Sequence, residues 1–126
     1  MKVADVAREV LRLGMKSPDF VYRSNEPNGC MYVRESNGVL VGDCIVGQAL
    51  VNLGCDVDVL RDADIALQLG RGGESASTMV NNFIQPESER DADLLAVLDS
   101  VQTMQDNQSP WGIAVKDLKE FFPELS

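Results

Sequence analysis

The most apolar continuous piece of the chain lies at 42–54, GDCIVGQALVNLG, and it carries both a start and a stop signal. Ile45, Val46, Ala49, Leu50 and Leu53 recur at the spacing of one broad helical face. Asp43 stands where an N-cap belongs, able to accept from the orphan N–H groups of the first turn. Gly54 follows the last apolar position, where a left-handed residue closes a helix. The pattern predicts a central buried helix. Gly47 sits inside it at a cost of about 1 kcal/mol relative to Ala. That cost points to close packing against a neighbour, with a tolerated defect as the plain alternative.

Before this stretch, Val3, Val6, Val10 and Leu13 form the stripe of a helix over 2–13, with Gly14 placed to stop it. Ser17, Pro18 and Asp19 break the pattern. The runs 20–22 and 30–33 are β-branched and aromatic, and the turn-forming residues 25–29 between them predict an antiparallel hairpin. Tyr22 and Tyr32 would then be able to face each other. Asn37-Gly38 marks a second turn, leaving 39–41 as either a third strand or an apolar lead-in.

After Gly54, Asp56 is placed to cap a short turn through Leu60, and 63–69 is open between strand and helix. Ala76, Met79, Val80, Phe83 and Ile84 describe an amphipathic helix ended by Pro86. The longest helix is predicted over 88–106. Glu89 and Asp91 fall in its first turn, and Leu94, Leu95, Val97, Leu98, Val101 and Met104 form its inner face. Residues 105–108 are polar and read as solvated. Ser109 as N-cap and Pro110 at the first position open a last helix bearing Trp111, Val115, Leu118 and Phe122. The expected class is α+β: a mainly helical single domain over 1–126, with about five helices and a small antiparallel β-hairpin.

Charge narrows the functions. Eleven basic residues against twenty acidic ones give a net charge of −9. Nucleic-acid binding depends on Lys and Arg displacing counterions from phosphate. Here the basic residues are dispersed, so direct nucleic-acid or anionic-membrane binding is disfavoured. Acidity serves solubility in most proteins; a DNA-mimicking inhibitor is a third-ranked alternative. No run approaches the length of a membrane span. The amino terminus lacks the apolar core of a signal peptide, so a cytoplasmic location is expected.

Candidate chemistry is sparse. The sequence has no histidine, which removes the commonest general base. Gly70, Arg71, Gly72 and Gly73 lack the pattern and the lysine of a phosphate loop. Cys30, Cys44 and Cys55 are odd in number and show no metal-ligand spacing, so no metal and no cofactor is expected. Cys44 at a helix start could gain thiolate character from the helix dipole, but Asp43 beside it opposes ionisation. A buried structural Cys44, alongside structural Gly47 and Gly54, is the favoured reading. Trp111, Tyr22 and Tyr32 are the candidate binding residues, because aromatics near turns and helix starts can anchor partners. Packing at the edge of the core is the commoner role of such aromatics, which are mostly buried.

Gly29-Cys30-Met31-Tyr32-Val33, then the run from Cys44 to Gly54, then Gln105-Asp106 and Trp111-Gly112-Ile113-Ala114-Val115 together resemble a family of small proteins from actinobacteria and their phages. That family has GCxYV followed by CIVGxxLxxLG, and later a WGxAV segment. This chain departs from it in a long lead-in over 37–42 and in the extra Cys55. The resemblance transfers no activity and no site residue. It implies an actinobacterial or phage origin. A phage-encoded, non-enzymatic accessory protein that binds and modulates a host protein in the host cytoplasm is therefore the expectation. The alternative is a small ligand-binding protein or enzyme using the Asp43-Cys44 helix start. Homo-oligomerisation is left open.

Overall fold

Val3, Val6, Ala7, Val10, Leu11, Leu13 and Gly14 line the buried face of the first helix, α1 (Val3–Lys16), in a computed structural model that describes residues 1–24 and 30–126. Asp5 accepts from the Lys2 N–H at 2.7 Å and so closes the first turn. Gly14 does not end this helix. A Cβ there would lie 2.6 Å from both Val115 methyl carbons, so the missing side chain lets α1 pack closely while the helix runs on to Lys16.

The hairpin forms one turn later than the apolar runs predicted. Strands β1 (Val33–Ser36) and β2 (Val39–Gly42) pair antiparallel, Val33 opposite Gly42 and Ser36 opposite Val39. Asn37 and Gly38 both take positive φ, 53° and 79°, as a tight two-residue hairpin turn requires. The turn expected at 25–29 lies outside the described residues. Residues 20–22 are not a strand, because their neighbourhood bonds elsewhere: the Phe20 carbonyl accepts from Trp111 N–H and the Pro18 carbonyl from Gly112 N–H, both at 2.9 Å.

The central helix α2 (Ile45–Asn52) is capped by Cys44, not by Asp43. The Cys44 Sγ accepts from the Gly47 N–H at 3.4 Å, while Asp43 is engaged by the Tyr22 hydroxyl at 2.9 Å and by Arg34 at 3.4 Å. Gly54 takes φ 85°, and the Cys55 N–H reaches back to the Leu50 carbonyl, closing the helix as its sequence anticipated. A Cβ at Gly47 would overlap the Tyr32 carbonyl oxygen. Close packing against the segment before β1 is therefore the reason for this glycine.

Helix α3 (Val57–Gln68) settles 63–68 as helical, with Leu69 its C-cap and Leu60, Ala63, Asp64 and Leu67 on its buried face. Helix α4 (Ala76–Asn81) is short, and α5 (Glu89–Asp106) begins at a Ser88 cap that accepts from Asp91 N–H. The last predicted helix divides into α6 (Trp111–Ala114) and α7 (Lys116–Phe121) around Val115, followed by a 3-10 turn at Pro123–Leu125. Pro110 is itself the N-cap; the Ser109 N–H is spent on the Met104 carbonyl at the end of α5. The described residues thus hold seven α-helices and one two-stranded sheet, mainly helical α+β around one continuous core. Helix α2 sits between α1, β2 and α5, and α1 also packs on α5 and α6.

Gly47→Ala tests the close approach. Helix propensity alone would favour Ala by about 1 kcal/mol, but overpacking against a backbone carbonyl should instead destabilise by about 1–3 kcal/mol. Urea unfolding of the two proteins gives the sign, and a stabilised variant would refute the packing explanation.

Candidate functional site

On α5, Asp99, Gln102, Thr103 and Asp106 are spaced i, i+3, i+4 and i+7, so they share one face. Opposite them stand Asp64 and Leu67 of α3, Glu74 and Ser75 of the loop before α4, and Cys30 and Tyr32 from the segment leading into β1. Together they line an open cleft of about 360 Å³.

Asp64 holds one wall in place. It is only 3% exposed, and its two oxygens accept from the N–H groups of Tyr32 at 2.9 Å and Val33 at 3.0 Å. Burial pushes its carboxyl above the ordinary Asp range, against the opposing pull of those two N–H groups. The buried Tyr32 hydroxyl donates to the Glu74 carbonyl at 2.5 Å, tying the same segment to the loop before α4. Asp99 accepts from the Ser77 N–H at 2.8 Å and so fixes the start of α4 on α5.

Gln102 and Gln105 were both missed by the sequence reading, and both are buried. Gln105 is the better satisfied. Its Oε1 accepts from the Ile45 N–H at 2.7 Å, supplying a first-turn bond of α2, and its Nε2 donates to Asp106 at 3.1 Å. The expectation that 105–108 is wholly solvated is thereby corrected. Gln102, 7% exposed, donates through Nε2 to Cys30 Sγ and to Cys44 Sγ, the latter at 3.6 Å. Its Oε1 has no hydrogen-bond partner among the described residues. A helical register extended from Leu98 and Val101 puts both glutamines inward, which is the signal that residue polarity masked.

Trp111, Tyr22 and Tyr32 are core residues, none offered to a partner from the surface. Trp111 stacks edge-on against Phe20, with ring centroids 4.6 Å apart. Tyr22 bridges Asp43 and the Met31 N–H. The tyrosines do not face each other across a hairpin, and only Tyr32 reaches the cleft. Cys44 is fully buried behind Gln102. Cys30, at the cleft, is held protonated: its contact with Cys44 and its burial push the thiol far up, and the charge of Asp106 adds to this. Among the described residues no three Cys, Asp or Glu side chains gather as a metal ion would need, and no helix is long and apolar enough to cross a membrane. No family model, curated protein or solved structure matches the chain.

Two expectations follow from this geometry. Without denaturant, Cys44 and Cys30 should react slowly with a small thiol reagent at neutral pH, and denaturation should release both; rapid native labelling of Cys44, read by mass spectrometry, would contradict its burial. The second concerns pH. Asp43, Asp64 and Asp106 are all raised, each chiefly by burial, so the folded chain binds protons that the unfolded chain has already lost. Stability should therefore fall as pH rises from about 4 through the raised folded pKa values. Glu9, lowered mainly by its bond to Arg12, works in the opposite sense, losing its contribution as pH falls through its folded pKa. Urea unfolding across this range should show the decline, shallower in Asp106→Asn; a rise in stability toward neutral pH would be inconsistent with three raised carboxyls.

Proposed function

We propose that this protein binds a small molecule in the cleft between α3 and α5 and holds it without transforming it. The observation that supports this reading is Gln102 Oε1, a buried acceptor without a partner among the described residues, on a side chain that lines the cleft. An unsatisfied buried polar atom costs about 1–3 kcal/mol, and a bound donor removes that cost. Turnover is disfavoured because the adjacent thiol is held protonated and the sequence has no histidine to take its proton.

A second reading, a non-enzymatic accessory protein docking on a host protein, draws support from another surface. Phe20 is 47% exposed and Ile113 53%, and they flank the seam where the backbones of 18–20 and 111–112 are hydrogen-bonded. The actinobacterial or phage origin and the host-cytoplasmic setting belong to this reading.

A fragment screen observed through the amide spectrum of the full chain separates the two. Ligand binding predicts hits that shift Gly73, Ala76 and Thr103 and disappear in Gln102→Met. That variant should be no less stable than wild type, since it removes an orphan acceptor at similar volume. Fragments that bypass the cleft, together with a host partner whose capture is lost in Phe20→Asp, would overturn the ligand reading in favour of docking.

A further inference from the structure

The cleft has a one-sided chemistry. Its walls carry the carboxylates of Asp64, Glu74, Asp99 and Asp106 and no lysine or arginine. Its side-chain hydroxyl and amide donors are already committed within the protein. The Tyr32 hydroxyl donates to the Glu74 carbonyl, Thr103 Oγ1 to the Asp99 carbonyl at 3.0 Å, and Ser75 Oγ to Thr78 Oγ1 at 2.9 Å. Both Nε2 hydrogens of Gln102 are directed at sulfurs. What the described side chains leave for a visitor is acceptors: the second oxygen of Asp99, the Asp106 carboxylate beyond its bonds to Gln105 and Cys30, and Gln102 Oε1, which has no partner among the described residues.

We infer that the cleft selects a small organic cation whose polar atoms are all donors, an alkylguanidinium or alkylammonium. This inference rests on the ligand-binding reading above and names the class of ligand. An ammonium offers three donors and a guanidinium five, neither with an acceptor to be left unsatisfied where the described side-chain donors are already committed. Carboxylate contacts to such a head are charge-assisted and stronger than neutral hydrogen bonds. The size fits as well. About 360 Å³ lies near the lower end of small-molecule pockets, and Ala63, Leu67 and Ala76 supply an apolar side for a short alkyl tail. An anion would meet four carboxylates and no counter-charge. A neutral amide would gain no charge-assisted bond from those carboxylates.

The test is a titration of the isotope-labelled full chain, at neutral pH and low salt, with n-butylguanidinium, n-butylammonium, n-butylurea and butyrate. The cations should produce saturable shifts at Gly73, Ala76, Thr103 and the Gln102 side-chain amide. Butylurea should bind about tenfold more weakly or worse, as loss of one charge-assisted bond implies, and butyrate should not bind. Gln102→Met and Asp106→Asn should each weaken the cations by about tenfold on the same ground. Asp106→Asn keeps the oxygen that accepts from Gln105, so its amide spectrum should remain that of the folded chain. Butylurea or butyrate binding as tightly as the cations would overturn the cation assignment and leave the ligand-binding reading standing. The same holds if no probe binds while neutral fragments occupy the cleft. Cation shifts scattered over the acidic surface and unchanged in Gln102→Met would also overturn it. A cleft that takes neither these probes nor any fragment would remove both.

Discussion

The carboxylate of Asp64, buried on α3 and accepting from the consecutive N–H groups of Tyr32 and Val33, is the contact on which the arrangement of the rest depends. Those two N–H groups would otherwise need a strand partner, and a buried donor left without one costs about 1–3 kcal/mol. With Asp64 in place, the segment before β1 lies across the molecule with its carbonyls turned the other way. The Met31 and Tyr32 carbonyls accept from Cys44 and Asp43, and the backbone of the segment comes directly against Gly47. One carboxylate thus sets the path of the chain into β1, the entry to α2, and the position of Cys30 and Tyr32 at the cleft.

Helix α5 completes this scheme by using polar side chains where a helix of its length would ordinarily bury only apolar ones. Gln105 supplies an acceptor to the start of α2, so α5 and α2 are joined by a directed bond as well as by packing. Gln102, one turn earlier, reaches both sulfurs with its nitrogen and leaves its oxygen without a partner among the described residues. The difference between the two glutamines is the difference between scaffold and site. Both lie on the buried face, but only one has a backbone donor in reach, and the other borders the space between α3 and α5.

Electrostatics follow from the same placement. The chain carries a net charge of −9, and several of its acids are drawn partly out of water, which raises their affinity for protons. Retaining carboxylates in such positions costs stability unless something positive or proton-donating is nearby. Asp64 is compensated by backbone and Asp43 by Tyr22 and Arg34. Asp99 accepts through one oxygen from the Ser77 N–H, and Asp106 is bonded, among the described residues, only by the Gln105 amide and the Cys30 thiol. The uncompensated acceptors therefore concentrate on one face of α5. The protonated state of Cys30 belongs to the same environment, since a thiolate there would add one more negative charge.

Local sequence signals were enough for the mainly helical α+β class, the central helix with its Gly54 closure and the long helix over 88–106, and they raised the close packing at Gly47 that the structure bears out. These depend on local periodicity and on the conformational freedom of glycine, which travel with the residues wherever they fold. Sequence failed where a polar side chain occupies a core position. The inward Asp64 interrupts the apolar stripe of α3, whose residues 63–69 stayed open between strand and helix, and Gln105 made the end of α5 look solvated. It also failed where a side chain missing from one element serves another, as Gly14 serves Val115. Tertiary structure alone decided which turn closes the hairpin, which residue caps α2, and that Tyr22 and Trp111 belong to the core. The physical reason is that such buried polar groups are positioned by partners distant in sequence. Such pairings, 60 residues apart for Gln105 and Ile45, leave no periodicity in the chain to be read.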